Sequence, residues 1–159
     1  MGYEIERKFL VVGNQWKKDG VGILYRQGYL STQKERTVRV RCIEDSAFLT
    51  VKGKNVGIRR LEFEYVIPLY DAETMLNNLC EQPIIEKYRY RITYKGFTWE
   101  VDEFLGENAG LVIAEIELDN EEQSFARPPW IGKEVSQDAR YFNSALSIHP
   151  YGSWPDAEK

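Results

Sequence analysis

Residues 85–104 read Ile85-Glu86-Lys87-Tyr88-Arg89-Tyr90-Arg91-Ile92-Thr93-Tyr94-Lys95-Gly96-Phe97-Thr98-Trp99-Glu100-Val101-Asp102-Glu103-Phe104. Successive side chains of a β-strand point to opposite faces, so residues two apart share one. On that reading Lys87, Arg89 and Arg91 form a basic row beside an apolar row of Tyr88 and Tyr90, and Glu100 with Asp102 forms an acidic row. Gly96 punctuates the stretch into two strands, Ile85–Tyr94 and Phe97–Phe104, joined as a hairpin. Alternation of this kind, rich in β-branched and aromatic residues, argues for a mainly β protein.

Outward from this hairpin the same two-faced pattern predicts strands at about Tyr3–Val11, Ile23–Leu30, Thr37–Cys42, Ala47–Lys52, Arg59–Ile67 and Gly110–Leu118. Gly53, Gly57 and Gly106, with the polar bend at Glu44 and Asp45, connect them as hairpins. Two segments break the period. Asp71–Cys80 starts on an acidic cap candidate, carries Met75, Leu76 and Leu79 at helical spacing, and stops before Pro83. Ser136–Ser147 reads as a second helix, capped by Ser136, with Ala139, Phe142 and Leu146 as its buried stripe. Residues 150–159 read as a frayed tail. No repeat or linker divides the chain, and its 159 residues with 43% hydrophobic content suit one domain.

The charged rows carry the functional signal. Glu4, Glu6 and Lys8 share a face, as do Arg39 and Arg41, Thr50 and Lys52, Glu62 and Glu64, and Glu115 and Glu117. The opposite parity is apolar: Val38 and Val40, Leu49 and Val51, Leu61 and Phe63, Ala114 and Ile116. Any one row alone is the solvent face of an ordinary sandwich. Yet several strands carry a single sign, which is unfavourable without something to neutralise it. Carboxylates gathered from several strands make oxygen-rich sites for hard cations such as Mg2+ or Mn2+, while arginine and lysine rows match phosphate oxygens. If the strands close into a barrel, both sets converge on one polar lumen, and the apolar parity faces covering helices or a second subunit. A homodimer is therefore expected.

Other function classes find little support. A net charge of −4 argues against non-specific nucleic-acid or anionic-membrane binding. No stretch of about 18 apolar residues is present, and a cytoplasmic location is expected. Cys42 and Cys80 read as reduced structural thiols. Gly53-Lys54 lacks the glycine spacing of a phosphate-binding loop, and no GxGxxG occurs. His149 is the sole histidine, near a Pro-rich end without catalytic partners. Trp16, Trp99, Trp130 and Trp154 form no base-stacking row.

Glu4-Ile5-Glu6-Arg7-Lys8 resembles the ExExK signature of the CYTH family, the triphosphate tunnel metalloenzymes. The resemblance extends in order through Arg39, Arg41, Lys52, Glu62, Glu64, Lys87, Arg89, Asp102, Glu115 and Glu117, over residues 3–133. It implies a closed eight-stranded antiparallel β-barrel, a triphosphate tunnel, with a few flanking helices. It also implies a divalent-metal-dependent triphosphatase acting on tripolyphosphate or a related organic triphosphate. Glu4, Glu6 and Glu117 would hold one metal, and Glu64, Asp102 and Glu115 a second, catalytic one. Lys8, Arg39, Arg41, Lys52, Lys87, Arg89 and Lys133 would grip phosphate. Glu62 would support either group, and Tyr29 resembles a tyrosine near the family site. A class IV adenylyl cyclase and a non-catalytic polyphosphate-binding module remain as alternatives.

Overall fold

The computed structural model describes residues 2–159. Nine strands follow in chain order: β1 (Tyr3–Val11), β2 (Ile23–Ser31), β3 (Arg36–Ile43), β4 (Ser46–Gly53), β5 (Arg59–Val66), β6 (Ile85–Tyr94), β7 (Phe97–Phe104), β8 (Val112–Glu117) and β9 (Ile131–Glu134). Two α-helices, α1 (Leu69–Asn78) and α2 (Asn143–Ile148), and several 3-10 turns flank them. The sheet order is β5-β4-β3-β2-β6-β7-β8-β1-β9, and β5 also pairs with β1 through Tyr3–Leu61, Glu4–Arg60 and Ile5–Arg59. That pairing closes eight antiparallel strands into a barrel and leaves β9 outside the ring, on β1, through Phe9–Glu134 and Val11–Ile131.

The β6–β7 hairpin turns at Lys95 and Gly96, both left-handed at φ 46° and 84°. Two consecutive left-handed residues match the twist of the strands, and glycine takes the second without a Cβ penalty. The turn sets the register Arg89–Asp102 and Arg91–Glu100, placing both basic side chains opposite acids on one face.

The burial pattern places the core outside the barrel. Outward residues Phe9, Val101, Ala114 and Ile116 pack under Trp16, Leu118 and Trp130. Val40, Cys42 and Ala47 of β3 and β4 lie under Ala72 and Leu76 of α1. A third cluster gathers Ile85, Phe104 and Ile113 against Tyr141, Leu146 and Trp154. Gly28 marks the tightest approach: a Cβ there would lie 2.8 Å from the Cβ of Cys80, so β2 and the end of α1 pack this closely only over glycine. Cys42 and Cys80 are free and buried. The outer face of β5 stays uncovered, with Leu61, Phe63 and Tyr65 exposed by 42%, 45% and 58%. Among the described residues, no helix is long and apolar enough to cross a membrane.

Several expectations are corrected. The first helix begins at Leu69 after Pro68, with no side-chain cap; Asp71 sits in its first turn, and Leu79 is exposed rather than part of a buried stripe. The second is not one helix over 136–147. A 3-10 turn at Ala139–Tyr141 precedes a six-residue α2, and Ala139 is exposed. The Ser136 hydroxyl meets the Lys8 backbone N–H instead of capping a helix. Residues 150–159, expected to fray, form two 3-10 turns, with Trp154 only 5% exposed against Tyr141. The short β9 was not anticipated.

Candidate active site

Every strand of the ring sends a polar side chain into one cavity of about 240 Å³. Glu4, Glu6 and Lys8 come from β1, Tyr29 from β2, Arg39 and Arg41 from β3, Lys52 from β4, Glu62 and Glu64 from β5, Lys87 and Arg89 from β6, Glu100 from β7, and Glu115 and Glu117 from β8. Alternation explains the gathering: once the strands close, one parity of every strand must point inward. The inward parity here is the charged one, so the charged rows are lumen rather than solvent face.

Acid and base are interleaved. Arg89 grips Asp102 bidentately, Nε to Oδ1 at 2.7 Å and Nη2 to Oδ2 at 2.8 Å, and also reaches Glu115 at 3.1 Å and Glu100 at 3.3 Å. The Lys87 ammonium donates to Asp102 Oδ2 at 2.7 Å. Lys8 meets Glu115 at 3.3 Å, and Lys52 meets Glu4 at 3.0 Å and Glu62 at 3.3 Å. Glu64 accepts from Thr50 at 2.9 Å, with Arg41 and Arg39 at 3.5 and 3.7 Å. The Nε atoms of Arg39 and Arg41 are buried without hydrogen-bond partners.

The electrostatics divide the carboxylates in two. Burial raises the Asp102 and Glu115 carboxyls, but the cations around them outweigh it, chiefly Arg89 and Lys87 for Asp102 and Lys8 and Arg89 for Glu115, and both end below the ordinary carboxylate range. Glu6 behaves oppositely. Desolvation in the lumen and the charges of Glu115 and Glu4 push it up to about 8, and among the described residues it has no ion pair. Glu117 is raised too, by burial and by Glu4, Glu62 and Glu100. Burial pulls Lys87 down to about 8 despite Asp102 beside it, and Arg41 down to about 10 with help from Arg39 and Arg89. Glu6 and Glu117 are thus under-neutralised, and with Glu4, whose oxygens take Lys52, they make a set of hard oxygen donors, the chemistry that suits Mg2+ or Mn2+. Among the described residues, no three acidic side chains already converge tightly enough to coordinate one ion. The donor set therefore fits by chemistry and by charge rather than as a preformed shell.

Two of the expected site residues lie off the cavity lining. Asp102 is 1% exposed, and Lys87 and Arg89 hold both its oxygens. Lys133 lies on β9, outside the ring, exposed and away from the cavity. Residues the row pattern missed also line the lumen. Arg60 extends the inward parity of β5, Thr37 that of β3, and Asn55, Ser136, Phe142, Asn143 and Ser144 come from connections or the start of α2. Arg60 and Thr37 were legible by extending a known parity by two residues; the connection residues follow no period.

The CYTH domain model matches residues 2–146. An inorganic triphosphatase of Acetivibrio thermocellus is 55% identical over 98% of this chain and all of that protein. An inorganic triphosphatase of Nitrosomonas europaea is 38% identical over 91% of this chain and 97% of its own. The crystal structure of an inorganic triphosphatase superposes with a TM-score of 0.67 at 35% identity, covering 91% of this chain and 94% of that one. The closed barrel and its inward charged rows agree with these similarities, and the chain belongs to the CYTH domain family.

Proposed function

We propose that this protein is a divalent-metal-dependent triphosphatase that releases the terminal phosphate of inorganic tripolyphosphate. The carrying observation is the gathering of Lys8, Arg39, Arg41, Lys52, Lys87 and Arg89 around one cavity. The names of the relatives support the same substrate class.

Glu4, Glu6 and Glu117 would hold Mg2+ or Mn2+, with Glu64 and Glu115 near the cationic rows. When bound, such an ion supplies Lewis-acid polarisation of a phosphoryl oxygen and of the attacking water. The lysines and arginines bind the phosphate oxygens and oppose the charge that builds on the transferring group. Asp102 keeps Arg89 and Lys87 in place for that task. Of the three carboxylates expected at the catalytic metal, Asp102 is fully engaged and Glu115 is locked between Lys8 and Arg89. Glu64 makes its contacts through Oε2 alone, and we assign it as the acceptor of the water proton. No protein nucleophile is required.

A cyclase would need an aromatic or apolar wall for a base. The aromatic rings that line the cavity are Tyr29 and Phe142, and Phe142 carries the Lys8 ammonium 5.4 Å from its centroid. Purified protein incubated separately with tripolyphosphate, ATP and thiamine triphosphate, with Mg2+, Mn2+ or chelator, is expected to release phosphate fastest from tripolyphosphate and only with metal. Cyclic AMP from ATP, or binding without any phosphorus product, would overturn the proposal.

A further inference from the structure

Asn143 opens α2 and lines the cavity beside Lys87. Its Oδ1 accepts from Lys87 Nζ at 3.2 Å and from Gln27 Nε2 at 3.0 Å. A lysine ammonium only donates, so the amide orientation is decided: the oxygen must face Lys87. Nδ2 is left with no protein partner among the described residues, on a side chain that borders the lumen. Gln27 is fully buried behind this contact and braces it from β2. The result is a neutral amide clamped by two donors, with its own N–H group available to an acceptor in the cavity.

We infer that Asn143 is a further substrate-binding residue: Oδ1 positions the Lys87 ammonium, and Nδ2 donates to a phosphoryl oxygen of the bound polyphosphate. This rests on the reading of the lumen as a tripolyphosphate site. Its chemical logic is separation of function. Lys87 would otherwise be drawn wholly onto Asp102 at 2.7 Å; a second acceptor on the other side holds the ammonium at the cavity wall. A neutral donor adds a contact to phosphate without adding a charge that the nearby acids would capture.

Two variants separate these roles. Asn143→Asp keeps an acceptor oxygen for Lys87 and Gln27 but replaces the N–H donor by an anion. Asn143→Ala removes both. Tripolyphosphate affinity is measured by calorimetry on the full chain in chelator, with melting temperature as a check of folding and phosphate release measured in parallel on the unmodified protein. The expected result is a dissociation constant about tenfold weaker for Asn143→Ala, the worth of one hydrogen bond to a charged group, and weaker still for Asn143→Asp, with Asn143→Asp melting close to the parent and Asn143→Ala a few degrees lower because the buried Gln27 amide loses its acceptor. Because the anion of Asn143→Asp repels phosphate in any case, the decision rests on Asn143→Ala: an affinity within about twofold of the parent for that variant overturns the inference. If the unmodified protein hydrolyses tripolyphosphate while both variants bind normally, the inference fails and the proposed function stands. If it binds without hydrolysis and the variants bind weakly, the function fails and the inference stands. Absence of any binding by the unmodified protein in chelator, together with no phosphate release in Mg2+ or Mn2+, overturns both.

Discussion

Glu4 and Glu6 sit two residues apart on the same inward face of β1, yet only Glu4 has a cation, Lys52 at 3.0 Å. Glu6 is left to desolvation in the lumen and the repulsion of Glu115 and Glu4, which hold its carboxyl near 8 against an ordinary value of 4.5. Between those values the folded chain binds more protons than the unfolded chain, so this residue makes the metal-free protein less stable as pH rises from 4.5 to 8. Glu6→Gln removes that term. In chelator its melting temperature should exceed the parent's by roughly 3 °C or more near pH 8.5 and converge with it near pH 5. The same variant should lose stabilisation by Mg2+, because a neutral amide is a poorer ligand for a hard cation. Scanning fluorimetry at the two pH values checks this, and an offset independent of pH would show that Glu6 is not electrostatically strained. At this scale the sequence is informative wherever parity applies: Glu6, Arg39 and Glu115 could be placed in the lumen by counting in twos. It is silent on Asn143, Ser136 and Asn55, whose positions follow from connections without a period, and on Asp102, whose burial beneath Arg89 depends on side-chain reach.

The β6–β7 hairpin shows how an element sets a site. Its turn at Lys95-Gly96 fixes the register, the register puts Asp102 across from Arg89, and the two-residue period adds Lys87 to the same carboxylate. All three side chains are almost wholly buried. Removing one member of such a cluster leaves charge uncompensated, so Asp102→Asn is expected to cost about 3–5 kcal/mol of stability and most of the activity. Its affinity for Mg2+, measured by calorimetry, should stay within about threefold of the parent, since a ligand's loss would cost tenfold or more. A larger drop would return Asp102 to the metal site. Elements of this kind are readable because a run of alternation such as Lys87–Tyr94 or Phe97–Asp102 leaves one interpretation. The β9 strand has only four residues, too few to display a period. The second helix was over-extended because Ser136 looked like a cap, whereas tertiary contacts use its hydroxyl for β1. Residues 150–159 read as a tail because the rings that bury Trp154, Tyr141 and Tyr151, follow no period in the sequence.

At the scale of the molecule, the barrel inverts the usual arrangement: charge lies inside, and the apolar cores lie between the barrel wall and the helices and loops around it. Like-charged lysines and arginines held across a cavity store repulsion that interleaved acids only partly relieve, and the unpartnered Nε atoms of Arg39 and Arg41 mark where relief is incomplete. A polyanion bound in the lumen would therefore touch strands from opposite sides of the ring at once and act as a cross-brace of the folded state alone. Ligand that binds only the folded chain stabilises it by about 2.7 kcal/mol at a hundred times its dissociation constant, which for a chain of this size raises the melting temperature by roughly 5–11 °C. Tripolyphosphate is expected to reach that range, and orthophosphate at the same concentration, spanning fewer of the opposed cations, to fall well short. Arg39→Ala, by weakening the dissociation constant about tenfold, should cut the gain at the same ligand concentration to about half, because the logarithm then runs to ten rather than a hundred. Thermal shifts measured in chelator isolate the cationic contribution from that of metal. Equal shifts for tripolyphosphate and orthophosphate, or an Arg39→Ala variant stabilised as much as the parent, would mean that the anion binds at one wall and that closure of the ring is not what recognises its length.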